Sequence, residues 1–310
     1  MSTIGEVMGQ FNEMYGAGRY QDALDLITRE GPNHPSYDAL WLCFSAAMSS
    51  CLGDTAGALA TFRTALDAGH WYNEDSLRND PDFASLKDEA EFKAIIEQNA
   101  QRRQVALANS KPLIRVLDPI ESDAPAPLLI TLHGNMTNVD GYAPSWQAAV
   151  EKGWRVALPQ SSRLSWLSGF FDWPDVDAGL NEVEQHYQTL LSTYAVDPSR
   201  VVIAGYSSGG KIAQQAAITK RLPVCGLLWV ESGVINEVDQ RLAAHQPFNF
   251  RAYFAAGQSQ AFIPNAEILA QSLSAAGVAC QIETMPNPYH EISASFPQTL
   301  ERALAFLCPS

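Results

Sequence analysis

The sequence predicts an α/β body with a mainly parallel sheet, preceded by an all-α body. Three observations carry this. Residues 1–108 hold no strand-like run and repeat internally. From residue 113 onward, short apolar runs rich in branched side chains alternate with helix-forming segments. One of those runs leads through Gly205-Tyr206-Ser207-Ser208-Gly209 directly into a helix former.

In the first body, Gly18-Arg19-Tyr20-Gln21-Asp22-Ala23-Leu24 recurs as Gly53-Asp54-Thr55-Ala56-Gly57-Ala58-Leu59, a shift of 35 residues. That period is close to the one of a tetratricopeptide helix hairpin. It predicts hairpins over 4–15 with 20–28, and over 37–51 with 55–68, where Phe62, Ala65 and Leu66 share one face. A further helical pair, broken near Asp80-Pro81, places Phe83, Leu86, Phe92 and Ile95 on its apolar side. A generic helical bundle fits the same pattern. Two hairpins cannot hide their own end faces. The helical domain is therefore expected to cap an active site, to form a homodimer, or to dock a protein partner. The junction falls at 106–112, giving domains 1–108 and 109–310.

In the second body, strands are expected at 113–117, 128–132, 155–159, 201–204, 227–230, 251–256 and 278–284. Val201-Val202-Ile203-Ala204 lacks alternation, as a strand buried on both faces should. Helices are expected around 146–152, then over 175–194, from 211, and over 264–276 and 293–307. Such sheets build sites at the carboxyl ends of their strands.

Ser207 is the candidate nucleophile, because the strand-turn-helix step lifts its hydroxyl clear of the sheet. Upstream, the run ending in Leu132-His133-Gly134-Asn135 sits where an oxyanion hole is built. Its donors would be the backbone N–H groups of Asn135 and Ser208, since acyl transfer develops negative charge that fixed donors must meet. The His133 side chain is expected to be structural. The base is assigned to His290, which follows the last strand in the stiff segment Pro286-Asn287-Pro288-Tyr289-His290. His245 precedes a strand and is the weaker candidate.

On these residues, the chain from about 111 to 310 resembles an α/β-hydrolase. The segment Asp197-Pro198-Ser199-Arg200-Val201 through Gly210 is similar to the elbow region of the phospholipase/carboxylesterase group of serine esterases, and the Leu132–Asn135 loop and His290 match that pattern. The resemblance implies an ester or thioester hydrolase working through an acyl-serine intermediate, with a small-molecule ester as substrate and no cofactor or metal. It does not fix the substrate. Such proteins usually carry an aspartate in a G-x-x-D step after the penultimate strand. Here that step reads Gly257-Gln258-Ser259-Gln260, so Gln260 stands at the acid position. A glutamine could hold the histidine tautomer but brings no charge. Glu231, at the end of Leu227-Leu228-Trp229-Val230, is the preferred displaced acid; Glu283 and Glu291 are further candidates.

The aromatics Trp166, Phe170, Phe171 and Trp173 either line a substrate pocket or pack against the helical domain. Lys211 is read as a helix-surface charge. The net charge of −14 argues against a nucleic-acid partner and against anionic membrane. No apolar run is long enough to span a bilayer. The N-terminus lacks a secretory pattern, and five cysteines cannot all pair. Cys225 and Cys280 read as small core residues, and a cytoplasmic location follows as the expectation. The rival functional reading is a catalytically impaired hydrolase scaffold used as an interaction module.

Overall fold

The computed structural model describes all residues except 1, 120–124, 259–261, 287 and 310. The chain divides into two compact units, Met1–Ser110 with Leu164–Phe170, and Lys111–Arg163 with Phe171–Ser310.

The first unit is all-helical: α1 (Ile4–Gly16), α2 (Tyr20–Glu30), α3 (Asp38–Cys51), α4 (Thr55–Asp67), α5 (Glu74–Asn79) and α6 (Ala90–Asn109), with 3₁₀ turns between them. The helices start where capping chemistry allows. Thr3 and Glu6 form a reciprocal capping box on α1, and Asp54 accepts the Gly57 N–H at the start of α4. Phe62, Phe83 and Phe92 meet as an aromatic cluster with ring centroids 5.2–5.8 Å apart, each ring buried. Asn99 is fully buried and satisfied, its Oδ1 accepting from the Tyr72 N–H and its Nδ2 donating to the Ile95 carbonyl. The segment Leu164–Phe170 belongs to this unit. Trp166 lies against Tyr72 and Phe170 against Tyr37. The Trp166 carbonyl accepts from the Asn73 N–H.

The second unit contains β1 (Leu113–Leu117), β2 (Ala126–Leu132), α7 (Val139–Tyr142), α8 (Gln147–Glu151), β3 (Arg155–Gln160), α9 (Val176–Thr193), β4 (Val196–Tyr206), α10 (Ser208–Ile218), β5 (Gly226–Val230), α11 (Val238–His245), β6 (Arg251–Gly257), α12 (Phe262–Ala275), β7 (Ala279–Met285) and α13 (Phe296–Leu307). Among the described residues the sheet has seven strands in the order β1-β3-β2-β4-β5-β6-β7. Only β1 runs antiparallel to its neighbour; the other pairings are parallel.

Alternation along β2 shows why this sheet needs helices on both faces. Leu128, Ile130 and Leu132 enter one core with Leu180, Val183, Ile212 and Leu269, while Leu129 enters the other with Trp146, Val150, Leu300 and Leu304. All seven residues of the strand are buried. Central strands of this kind read as unbroken apolar runs because neither face meets water.

The Cys225 expectation is corrected. Cys225 is not an unpaired core residue but is joined to Cys308, 83 residues away, with Cα atoms 6.3 Å apart. The end of α13 is brought there by packing: a Cβ on Gly226 would lie 2.6 Å from Leu307 Cβ, so only glycine lets that helix approach β5 so closely. With one pair bonded, cysteine usage no longer argues for a reducing compartment. Cys280 is free and half-buried. Among the described residues, no helix is long and apolar enough to cross a membrane.

Candidate active site

Strand β4 ends at Tyr206, and α10 begins at Ser208. Ser207 between them has φ 52° and ψ −123°, a conformation that side chains rarely adopt. The surroundings hold it there. Its N–H donates to the Val230 carbonyl at 3.0 Å, and its own carbonyl accepts the Gly210 N–H at 3.0 Å and the Ser232 hydroxyl. The flanking glycines are steric requirements. A Cβ on Gly205 would sit 2.3 Å from the Gly209 carbonyl oxygen, and one on Gly209 would sit 2.5 Å from the carbonyl oxygens of Leu132 and His133. Backbone cannot yield to such contacts, so strand, turn and helix can cross this closely only without those side chains.

The Ser207 hydroxyl lies 2.9 Å from His290 Nε2. His290 Nδ1 lies 3.1 Å from Glu231 Oε2. Glu231 follows β5, is fully buried, and has φ 41°. Its N–H donates to the Ala255 carbonyl of β6, which fixes the turn. Burial raises the Glu231 pKa above the ordinary carboxylate range; His290 opposes that shift, and so does the nearby backbone N–H of Glu291. Among the described residues Glu231 Oε1 has no hydrogen bond. His290 is therefore the main group that compensates this buried carboxylate.

The loop after β2 forms the other wall. His133 is fully buried, and burial pulls its pKa down to about 4. It is neutral, with Nδ1–H donating to the Gly134 carbonyl at 2.7 Å and Nε2 accepting the Ser161 N–H at 3.2 Å. The imidazole is thus a structural brace for the loop. Asn135 Oδ1 accepts two hydrogen bonds, from the Trp173 N–H at 2.8 Å and the Ser208 hydroxyl at 2.7 Å. That oxygen ties the loop to the first residue of α10. The N–H of Ser208 lies in a first helical turn, where no intrahelical acceptor exists. Together, the geometry provides a hydroxyl on an imidazole, a carboxylate behind that imidazole, and the N–H of Ser208 at the start of the adjoining helix.

The remaining candidates fall elsewhere. Gln260 lies outside the described residues. Glu283 on β7 is bound by Arg302, Tyr253 and Thr299, and Arg302 draws its pKa down to about 2. His245 Nδ1 bonds the Arg241 carbonyl within α11. Trp173 is buried, its indole N–H donating to the His133 carbonyl at 2.9 Å, so it supports the loop from beneath. Phe171 donates its N–H to the Thr137 carbonyl at 2.9 Å. Trp166 and Phe170 pack within the helical unit.

Sequence reasoning missed two aromatic neighbours of His290. The Tyr206 ring stacks on the imidazole with centroids 4.9 Å apart, and the Phe262 ring does so at 4.5 Å. Tyr206 was in view as the variable residue of the G-x-S-x-G run. Phe262 gave no signal, since nothing in the sequence aims the start of α12 at residue 290.

The strand order, the lone antiparallel edge and the strained serine between β4 and α10 decide the fold. The second unit is an α/β-hydrolase domain. Sequence profiles agree: the dienelactone hydrolase family matches residues 166–301, and an α/β-hydrolase-like N-terminal domain matches residues 3–107. A search of curated proteins returns no match. Among solved structures, an uncharacterised protein from Bacillus cereus is similar over 99% of both chains, with 21% identity and a TM-score of 0.53. Esterase PE8 is similar to 64% of this chain over 100% of its own, with 14% identity and a TM-score of 0.55. The Bacillus cereus carboxylesterase is similar to 66% of this chain over 98% of its own, with 16% identity and a TM-score of 0.50. At these identities the likeness to solved structures is one of fold. Among the described residues, no group of three or more His, Cys, Asp or Glu side chains is gathered as a metal site.

Proposed function

We propose that this protein is a serine hydrolase that cleaves carboxylic or thio esters of short or medium acyl chains through an acyl-serine intermediate. The observation that carries this reading is the Ser207 Oγ–His290 Nε2 contact at 2.9 Å, backed by Glu231 at 3.1 Å from Nδ1. The dienelactone hydrolase match, a family named for ester hydrolysis, supports the reaction class.

In the proposed reaction His290 Nε2 takes the Ser207 proton as Oγ attacks the substrate carbonyl carbon. The tetrahedral oxyanion is met by the N–H groups of Asn135 and Ser208. Glu231 holds Nδ1–H and stabilises the imidazolium that forms. The C–O or C–S bond then breaks, and His290 returns the proton to the departing alcohol or thiol. Water, deprotonated by His290, attacks the acyl-serine; the acid is released and Ser207 regains its proton.

The test is a panel of p-nitrophenyl esters of rising acyl length, run on wild type and Ser207→Ala. The expected result is turnover that favours short or medium chains and is lost in the variant. Turnover unchanged by Ser207→Ala would overturn the proposal.

A further inference from the structure

Tyr206 touches three parts of the site at once. Its hydroxyl donates to the His290 backbone carbonyl at 2.8 Å. Its ring stacks on the His290 imidazole with an interplanar angle of 28°. The same ring fills the space over Gly134, where a Cβ would stand 2.9 Å from Tyr206 Cδ1 and 3.1 Å from Ser207 Cβ. Gly134 opens the loop that carries Asn135, and Tyr206 is covalently bonded to Ser207.

From this we infer that Tyr206 is a positioning residue for the proposed hydrolysis, acting through His290. His290 is supplied by a segment that follows the edge strand β7, and its side chain is 41% exposed, so packing alone does not immobilise it. The residue next to the nucleophile grips that histidine by both backbone and ring. The Nε2–Oγ distance is thereby set by a short rigid path, from Ser207 through the neighbouring ring and hydroxyl to residue 290. Phe262 adds a second stacked ring at an interplanar angle of 26° but has no polar group with which to fix the backbone. The glycine at 134 is explained by the same contact: the loop carrying Asn135 can close over the elbow only if it leaves room for the Tyr206 ring. A misplaced general base costs rate and leaves ground-state binding intact, because proton transfer needs near-ideal heavy-atom spacing.

This inference rests on the roles proposed above for Ser207 and His290, and a double-mutant cycle separates the two. Tyr206→Phe keeps the ring and removes only the hydroxyl. With a p-nitrophenyl ester as substrate, we expect kcat to fall about five- to ten-fold with KM within twofold, the size of one lost hydrogen bond. In a His290→Ala background the same substitution is expected to change kcat by less than twofold, since the group it positions is gone. Equal losses in both backgrounds would show a general structural role and overturn the inference. So would wild-type kcat in Tyr206→Phe when His290→Ala is inactive. Wild-type activity in His290→Ala would instead remove the reading on which the inference stands.

Discussion

Replacing Glu231 by glutamine separates rate from stability. The glutamine is close to isosteric and can still accept the His290 Nδ1–H, so what disappears is one buried negative charge. At the observed 3.1 Å contact the charge centres lie ~4 Å apart, which gives about 4 kcal/mol of attraction for the imidazolium at an effective dielectric near 20. The His290 side chain is 41% exposed, so water screens part of this, leaving about 2–3 kcal/mol. That attraction exists only when His290 is charged, in the transition state, and its loss lowers kcat roughly thirty- to two-hundred-fold with little change in KM. Stability should respond differently. The folded-state pKa of Glu231 is raised by burial, so ionising it costs stability above the ordinary glutamate range. Glutamine removes that cost but places an NH₂ where Oε1 has no partner among the described residues, and the two effects oppose each other within about 1–2 kcal/mol. The assay is steady-state ester hydrolysis at pH 8 beside urea unfolding of both proteins. A kcat within threefold of wild type would refute Glu231 as the group that charges the pair.

Other perturbations address the frame around the site. His133 has its pKa lowered from 6.5 to about 4, so its contribution to stability is complete above pH 6.5 and is lost as pH falls toward 4, by on the order of 3 kcal/mol. Urea unfolding at pH 7 and pH 4.5 should therefore show a larger drop for wild type than for His133→Gln; equal drops would contradict the neutral brace. Gly205→Ala drives a Cβ to 2.3 Å from a backbone oxygen and should cost more than about 2 kcal/mol, read as a lowered melting temperature. An unchanged melting temperature would contradict the elbow packing. Cys308→Ser opens a link between residues 83 apart and should lower unfolding stability by up to about 4 kcal/mol, an effect matched by reductant on wild type. Insensitivity to both would show that the two sulfurs are not joined in solution.

The parts of the fold legible in the sequence are those whose physics is local. The β2 segment and the Val201–Gly205 half of β4 read as strands because both faces are buried there, which leaves runs without polar alternation. The elbow was legible because the G-x-S-x-G spacing is local and the steric demand on Gly205 comes from Gly209 and Gly210, although the demand on Gly209 comes from the distant Leu132 and His133. Glu231 stood out because it ends an apolar strand at the carboxyl edge of the sheet, where the structure brings it to His290. Features set by distant contacts were not legible. The Cys225–Cys308 bond depends on how α13 returns to β5. The stacking of Phe262 on His290 depends on where α12 starts. The short helices Val139–Tyr142 and Val238–His245 are too brief to show a period. The aromatic run after β3 is divided between the two units at residues 170 and 171, a boundary that composition does not mark.

A fluorophosphonate probe followed by intact-mass and peptide analysis reads the reactivity of the Ser207 oxygen without knowledge of the substrate. A single adduct per chain is expected, carried by Ser207, absent from Ser207→Ala and strongly slowed in His290→Ala. A folded wild-type protein that takes up no probe, or an adduct that persists in Ser207→Ala, would contradict Ser207 as the nucleophile.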